Sequence, residues 1–232
     1  VLLPLDVRED ASVEAVVRSV LEQTGRIDVL VNNAGYMQTG AIEENDVSDA
    51  KAQFETNLFG VLRMTKAILP IMRRQGGGRI INVSSLLGHV SPAFAGLYGS
   101  SKFALEGLSE ALRGELRPFR IHVSLIEPGF VKSDIVGQPP ARPIVEYEAR
   151  RRLGAAFARQ GVERGMDPVV VAHAILSVAK AARPRLRYPV GGTSRGLMAL
   201  KRLLPEPVFE WLRQRAFPAE AGSVGEPSSA TA

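Results

Sequence analysis

Apolar residues along this chain alternate between two rhythms, short unbroken runs and longer stretches with helical spacing. The N-terminal VLLPLDV is a run of the first kind and reads as a buried strand ending at Asp6. From Ala11 to Thr24, Val13, Val16, Val17, Val20 and Leu21 repeat with a helical period. Residues 27–31, IDVLV, are β-branched and apolar, as in parallel strands covered on both faces. After Asn45 one long helix is predicted, with Phe54, Leu58, Val61, Thr65, Ile68 and Met72 on one face and Gly76, Gly77 and Gly78 as its stop. Residues 79–84 form the next strand. A helix through Tyr98 continues over Leu105, Leu108, Leu112 and Leu116 until Pro118, and residues 121–126, IHVSLI, are again a strand. Residues 130–165 show no clean period and are read as a mobile loop with short helices. Asp167 before Pro168 caps a helix running to about Lys180. Residues 187–190, RYPV, make the last strand, and two short helices separated by Pro205 follow. Strands alternating with helices of this length imply right-handed crossovers and an α/β, doubly wound parallel sheet.

Composition narrows the picture. The 232 residues fit a single domain, residues 1–216, with a polar, small-residue tail over 217–232 that is expected to be disordered. The absence of cysteine removes disulfides and thiolate metal sites. The three histidines, His89, His122 and His173, lie far apart without ligand spacing, so no metal is expected. With neither an apolar run of about 20 residues nor a signal peptide, the chain reads as soluble and cytoplasmic. The net charge of +5 is uneven: residues 142–215 carry 15 basic and 6 acidic side chains. That excess could meet anionic lipid, nucleic acid or a phosphorylated cofactor, or simply mark solvated helix faces, the favoured reading; no nucleic-acid motif or interleaved aromatic accompanies it, and nucleic acid is not expected as a partner.

The stretch SSLLGHVSPAFAGLYGSSK, residues 84–102, carries the chemistry. On a helix, Tyr98 and Lys102 share a face. A free tyrosine keeps its proton to a pKa of about 10, too high for acid–base work near neutrality. An ammonium one turn away favours the phenolate, and Ser85 on the preceding loop is placed to donate a hydrogen bond to a substrate oxygen.

Serine followed by Tyr-x-x-x-Lys at this separation resembles the short-chain dehydrogenase/reductase family. Other motifs extend the resemblance over residues 1 to about 216. NNAG, residues 32–35, is similar to the segment that lines the adenine-ribose side of a nicotinamide dinucleotide, which implies roles for Asn33, Ala34 and Gly35. Asp6 stands where the family's aspartate meets the adenine amino group. Asn57, in NLFG, matches a helix-embedded asparagine that holds a water beside the active lysine. EPGFVKS, residues 127–133, looks like the segment contacting the nicotinamide carboxamide, which implicates Pro128, Gly129, Val131 and Ser133. By resemblance the catalytic set is Asn57, Ser85, Tyr98 and Lys102, Lys102 also binds the nicotinamide ribose, and the cofactor is NAD or NADP. Several segments, RYPVG and the amphipathic C-terminal stretch among them, look like the steroid/retinol-type branch. Leu86, Leu87, Val90, Ala93, Phe94, Ala95 and Leu97 favour a bulky apolar alcohol or ketone over a sugar or a charged acid, so the partner is expected to be a small-molecule apolar alcohol or carbonyl. A homo-oligomer through the helices near 46–75 and 98–117 is expected, from Leu62, Leu69, Phe103 and Leu116 lying off the core stripe. Peripheral membrane contact through the C-terminal helices is compatible with the same reading.

One departure stands out. The family opens with a glycine-rich turn, TGxxxGxG, which lets backbone approach the pyrophosphate, and these 232 residues contain none. The Rossmann-type sheet is therefore expected to be N-terminally truncated, with residues 1–5 deprived of neighbours, dinucleotide bound poorly and the choice between NAD and NADP hidden. The rival reading is a non-catalytic scaffold or binding protein of the same fold.

Overall fold

The computed structural model describes residues 1–133, 135, 137–217, 219 and 220. Four parallel strands, β1 (Val29–Asn32), β2 (Gly78–Val83), β3 (Ile121–Pro128) and β4 (Arg187–Val190), lie in sequence order across one sheet. The register pairs Leu30 with Ile80, Ile80 with Val123 and Ile126 with Tyr188. Side chains alternate between the faces. Leu30, Ile80, Ile121 and Val123 face α1 (Asp10–Thr24), α3 (Gly60–Gln75) and α4 (Gly96–Leu116), together with Val13, Ile68, Met72 and Leu112. Ile81 and Ile126 face the other way, onto Val178 of α6 (Pro168–Lys180). The cover on that second face does not reach β1, so Val29 and Val31 stay partly exposed.

Most predicted elements are present, with four differences. Residues 1–5 are not a strand, and Val1 and Leu2 are fully exposed. Among the described residues no strand lies beside them to accept and donate backbone hydrogen bonds, and Pro4 has no N–H to offer. The helix expected after Asn45 is two helices, α2 (Val47–Phe54) and α3, joined by one π-turn, Glu55–Phe59. Within 130–165 the chain builds α5 (Glu148–Glu163), a 16-residue helix. Its Ala, Arg and Gln content favours helix, and Phe157 packs edge-on against Phe130 and Phe217. Gly154 and Gly161 blur its periodicity; a Cβ at Gly161 would lie 2.6 Å from the Phe130 ring, so that glycine admits the aromatic. Last, the expected tail is packed at its start. Ala219 is buried, its carbonyl accepts from Arg150 Nε, and Glu220 Oε1 accepts from the Ala93 N–H at 2.7 Å. Residue 218 and residues 221–232 of that tail lie outside the described residues.

The C-terminal helices are α7 (Gly192–Leu203) and α8 (Glu206–Ala216). Among the described residues no helix is long and apolar enough to cross a membrane. Of the four apolar residues placed off the core stripe, Leu116 is buried and Leu69 packs against the core, because α4 and α3 are covered more widely than one stripe. Phe103 is exposed, with Lys201 Nζ 5.6 Å from its ring centroid.

Candidate active site

All the singled-out segments except Asp6 emerge from, or border, the carboxyl ends of the parallel strands, where open α/β sheets hold their ligands. Asn33, Ala34 and Gly35 follow β1, Ser85 follows β2, and Pro128 ends β3 with Gly129, Val131 and Ser133 beyond it. Tyr98 and Lys102 lie in the first two turns of α4.

The π-turn fixes Asn57. Its Oδ1 accepts from the Tyr36 N–H at 3.1 Å, and its Nδ2 donates to the Tyr36 carbonyl at 3.0 Å and to Ser101 Oγ at 3.1 Å. The wider turn aims this buried amide sideways at the segment after β1, and π-turns of this kind recur at functional sites. Gly35 is pressed against the result, since a Cβ there would stand 3.1 Å from Asn57 Oδ1 and 3.9 Å from Lys102 Nζ. Lys102 is buried and donates to the Val83 carbonyl at 2.8 Å. Its Nζ lies 5.7 Å from the centroid of the Tyr98 ring. Asn57, Lys102, Tyr98 and Ser85 are thus one neighbourhood.

The electrostatics differ from the sequence expectation. Burial pushes the Tyr98 phenol above its ordinary value, opposed by its hydrogen bond with Ser85. Burial pulls Lys102 down from 10.5 to about 8, opposed by the charge of Glu106. The Lys102 ammonium donates to the Val83 carbonyl, and burial is the larger influence on the Tyr98 phenol. Ser85 Oγ, meanwhile, accepts from the Leu87 N–H at 3.1 Å, which orients the hydroxyl.

The remaining predicted residues are dispersed. Asn33 and Ala34 are exposed. Gly129 donates its N–H to the Val190 carbonyl at 3.2 Å, and Val131 forms a bridge with Met166, so this segment is tied to the end of β4 and the start of α6. Ser133 is exposed and its Oγ donates to the Val131 carbonyl at 3.4 Å. Asp6 is engaged locally: its carboxylate accepts from the Arg8 backbone N–H at 2.9 Å and from the Arg8 guanidinium at 2.7 Å, which holds it down to about 2. Asp6 also makes the turn that leads into α1, its carbonyl accepting from the Glu9 N–H at 3.2 Å. Arg8 in turn lines a cleft of about 810 Å³ with Glu9, Gly35, Tyr36, Ala52, Glu55, Thr56 and Gln138.

Residues 1–142 match the short chain dehydrogenase family. The chain belongs to that family. It is 38% identical over 214 residues to the uncharacterized oxidoreductase YusZ of Bacillus subtilis, covering 89% of this chain and 76% of that protein. It is 36% identical over 211 residues to retinol dehydrogenase 8 of Bos taurus, covering 87% and 67% respectively. A solved short-chain dehydrogenase/reductase from Burkholderia phymatum, in complex with NAD, superposes with a TM-score of 0.75 at 27% identity over 89% of this chain and 75% of that one. This short-chain dehydrogenase is therefore an oxidoreductase by family, built on the α/β, Rossmann-type sheet.

Sequence reasoning missed the residues that hold the site in place. Gln53 accepts from the Gln38 N–H at 2.6 Å and donates to the Tyr36 carbonyl at 2.7 Å. Asn32, Asn82 and Ser109 form a buried hydrogen-bonded chain between β1, β2 and α4. Behind Lys102, His89 Nε2 lies 3.0 Å from Glu127 and 3.6 Å from Glu106, although the histidines showed no ligand spacing in sequence. One signal was available: Ser101, Glu106 and Ser109 fall on the same stripe of α4 as Leu105 and Leu112, which the helical period assigns to the interior.

Proposed function

We propose that this protein interconverts an alcohol with a ketone or aldehyde on an apolar substrate, using NAD or NADP. The observation that carries the reading is the convergence of Asn57, Ser85, Tyr98 and Lys102 beside Gly35 at the carboxyl edge of the sheet. The residues present fit a dinucleotide: Gly35 packs against Asn57 and Lys102 and borders a cleft that has the volume of a cofactor site. Asn33, Ala34, Gly35 and the Pro128–Ser133 segment would hold the cofactor, and Lys102 would bind its nicotinamide ribose. When bound, the cofactor supplies or accepts a hydride at its nicotinamide ring.

In the reduction direction the Tyr98 phenol gives its proton to the substrate oxygen, and in oxidation the phenolate takes it back. Ser85 donates a hydrogen bond to the same oxygen, so charge developing there meets two fixed donors. Burial raises the Tyr98 pKa, so the phenol rests in the protonated form that reduction requires. Asn57 fixes the backbone at Tyr36 and continues the polar path away from Lys102 through Ser101. Of the apolar loop residues, Leu86, Val90 and Ala95 are buried in the fold, and Leu87, Phe94 and Leu97 remain to meet an apolar substrate. A steroid or retinoid is the substrate class this lining favours, in keeping with the similarity to a retinol dehydrogenase.

A non-catalytic scaffold is the weaker reading. Burying Lys102 carries an electrostatic cost, and a chain selected only for shape has no use for it. The test is Tyr98→Phe, assayed by reduction of all-trans-retinal and estrone with NADH and NADPH. Turnover is expected to fall by at least about a hundredfold, with dinucleotide affinity changed no more than a few-fold by calorimetry. Turnover retained above about a tenth of the parent value removes Tyr98 from the acid–base role.

A further inference from the structure

Behind the proposed site lies a second group of ionisable side chains that the reaction as drawn does not use. Glu106 on α4 and Glu127 on β3 are both buried, and each has one carboxylate oxygen with no hydrogen-bond partner among the described residues. Arg187 of β4 brings its Nε to 3.0 Å from Glu106 Oε2 and 3.6 Å from Glu127 Oε1, and its terminal nitrogen reaches Glu110 at 2.8 Å. His89 completes the group; its backbone carbonyl accepts from Lys201 Nζ. The ligand atoms of His89, Glu106 and Glu127 lie within 4.8 Å of one another, the spacing of a cation site. The guanidinium of Arg187 already supplies a cation there, bonded to the same Glu106 oxygen.

Glu106 follows Lys102 by one helical turn, and helical side chains lean toward the N-terminus, so its carboxylate is directed over the turn that carries the lysine. Gly88 seals the space: a Cβ there would stand 3.0 Å from Ser84 Oγ, 3.1 Å from Glu106 Cγ and 3.3 Å from the Lys102 carbonyl. A charge enclosed in this way is poorly screened, and its effect on a buried neighbour is correspondingly large.

We propose that Glu106 is a positioning residue for the dehydrogenase reaction: its buried carboxylate, steadied by Arg187 and His89, keeps the Lys102 ammonium charged. Burial and the neighbouring Glu127 push Glu106 toward protonation, and Ser84, His89 and Arg187 oppose them. The titratable and charged groups facing Lys102 and Glu106 are thus Glu127 from β3, Arg187 from β4, His89 from the loop after β2, and Tyr98 on α4 itself. Without Glu106, burial acts on Lys102 unopposed, and the lysine titrates closer to neutrality. The inference rests on the proposed role of Lys102 only for its consequence in turnover; the electrostatic claim stands by itself.

The test is a pH titration of lysine 13Cε chemical shifts in the parent protein, Glu106→Gln and Glu106→Asp. The chain has six lysines, and Lys102→Arg identifies the resonance of interest. Across one helical turn, at an effective dielectric of about 20, a unit charge changes a protonation constant by more than tenfold. Glu106→Gln is therefore expected to lower the Lys102 titration by about one to two pH units. Glu106→Asp draws the charge back and is expected to lower it less; it also serves if the glutamine variant fails to fold. The other five lysines should not move. A Lys102 titration unchanged in every folded variant overturns the proposal, whatever the turnover assays show, and a uniform loss of activity with an unmoved titration identifies Glu106 as structural only.

Discussion

Replacing Lys102 with methionine tests whether the proposed site is held against the stability of the fold. The lysine falls from 10.5 to about 8 on burial, a penalty of roughly 3 kcal/mol on its charged form in the folded state. Methionine has a similar volume and no charge to desolvate. It also leaves the Val83 carbonyl without its 2.8 Å donor, which costs about 1–2 kcal/mol. Lys102→Met should therefore be as stable as the parent at pH 7, or more stable by about 1–2 kcal/mol. The pH dependence isolates the electrostatic part. The folded-state pKa lies below the unfolded one, so the penalty is fully present below about 8 and disappears as pH rises toward 10.5. The parent should accordingly gain roughly 2.5 kcal/mol on the variant between pH 7 and pH 10. Urea unfolding followed by far-ultraviolet circular dichroism at the two pH values measures the difference, and groups common to both proteins cancel. A difference that stays constant within about 0.5 kcal/mol would mean that Lys102 is not desolvated as the structure implies.

Asn57→Ala should cost about 2–3 kcal/mol in the same unfolding assay, because the Tyr36 amide and the Ser101 hydroxyl each lose a buried partner; a loss below about 0.5 kcal/mol would contradict the π-turn's role. We propose a homo-oligomer involving exposed Phe59 and Phe103, for which light scattering should give a multiple of the 25.0 kDa chain mass, and a monomeric mass would refute it. We also propose that α7 and α8 rest on anionic membranes: Leu203, Val208 and Trp211 are exposed beside Lys201, Arg202 and Arg215. Co-sedimentation with vesicles containing phosphatidylserine, lost in Leu203→Glu and absent with phosphatidylcholine alone, would bear that out; equal binding to both lipids would not.

The sheet was legible because its strands are short β-branched runs and its helices keep a period of about 3.6 residues. Residues 1–5 have the same composition as a strand but stand alone, and pairing rather than composition decides whether a strand forms. Helix α5 was hidden by Gly154 and Gly161; that Gly161 admits the Phe130 ring is visible only once the ring is in place. Ser85, Tyr98 and Lys102 were legible from their spacing, and Asn57 from resemblance, but neither disclosed the π-turn that aims it. Glu106 looked like any polar residue on a helix. Its burial depends on Glu127 and Arg187, which are distant in sequence and meet it only through the packing of β3 and β4 against α4.

The central claim is that Tyr98, beside Ser85 and Lys102, exchanges a proton with the substrate oxygen while hydride moves between a nicotinamide and an apolar carbonyl. Incubating the protein with NADH or NADPH deuterated at the nicotinamide C4, and all-trans-retinal or estrone, tests it directly by mass spectrometry of the product alcohol. The account predicts one deuterium on the carbinol carbon from one of the two C4 positions, and at least about a hundredfold less product with Tyr98→Phe. Product formed by Tyr98→Phe at the parent rate, or alcohol without deuterium from either C4 position, would contradict it.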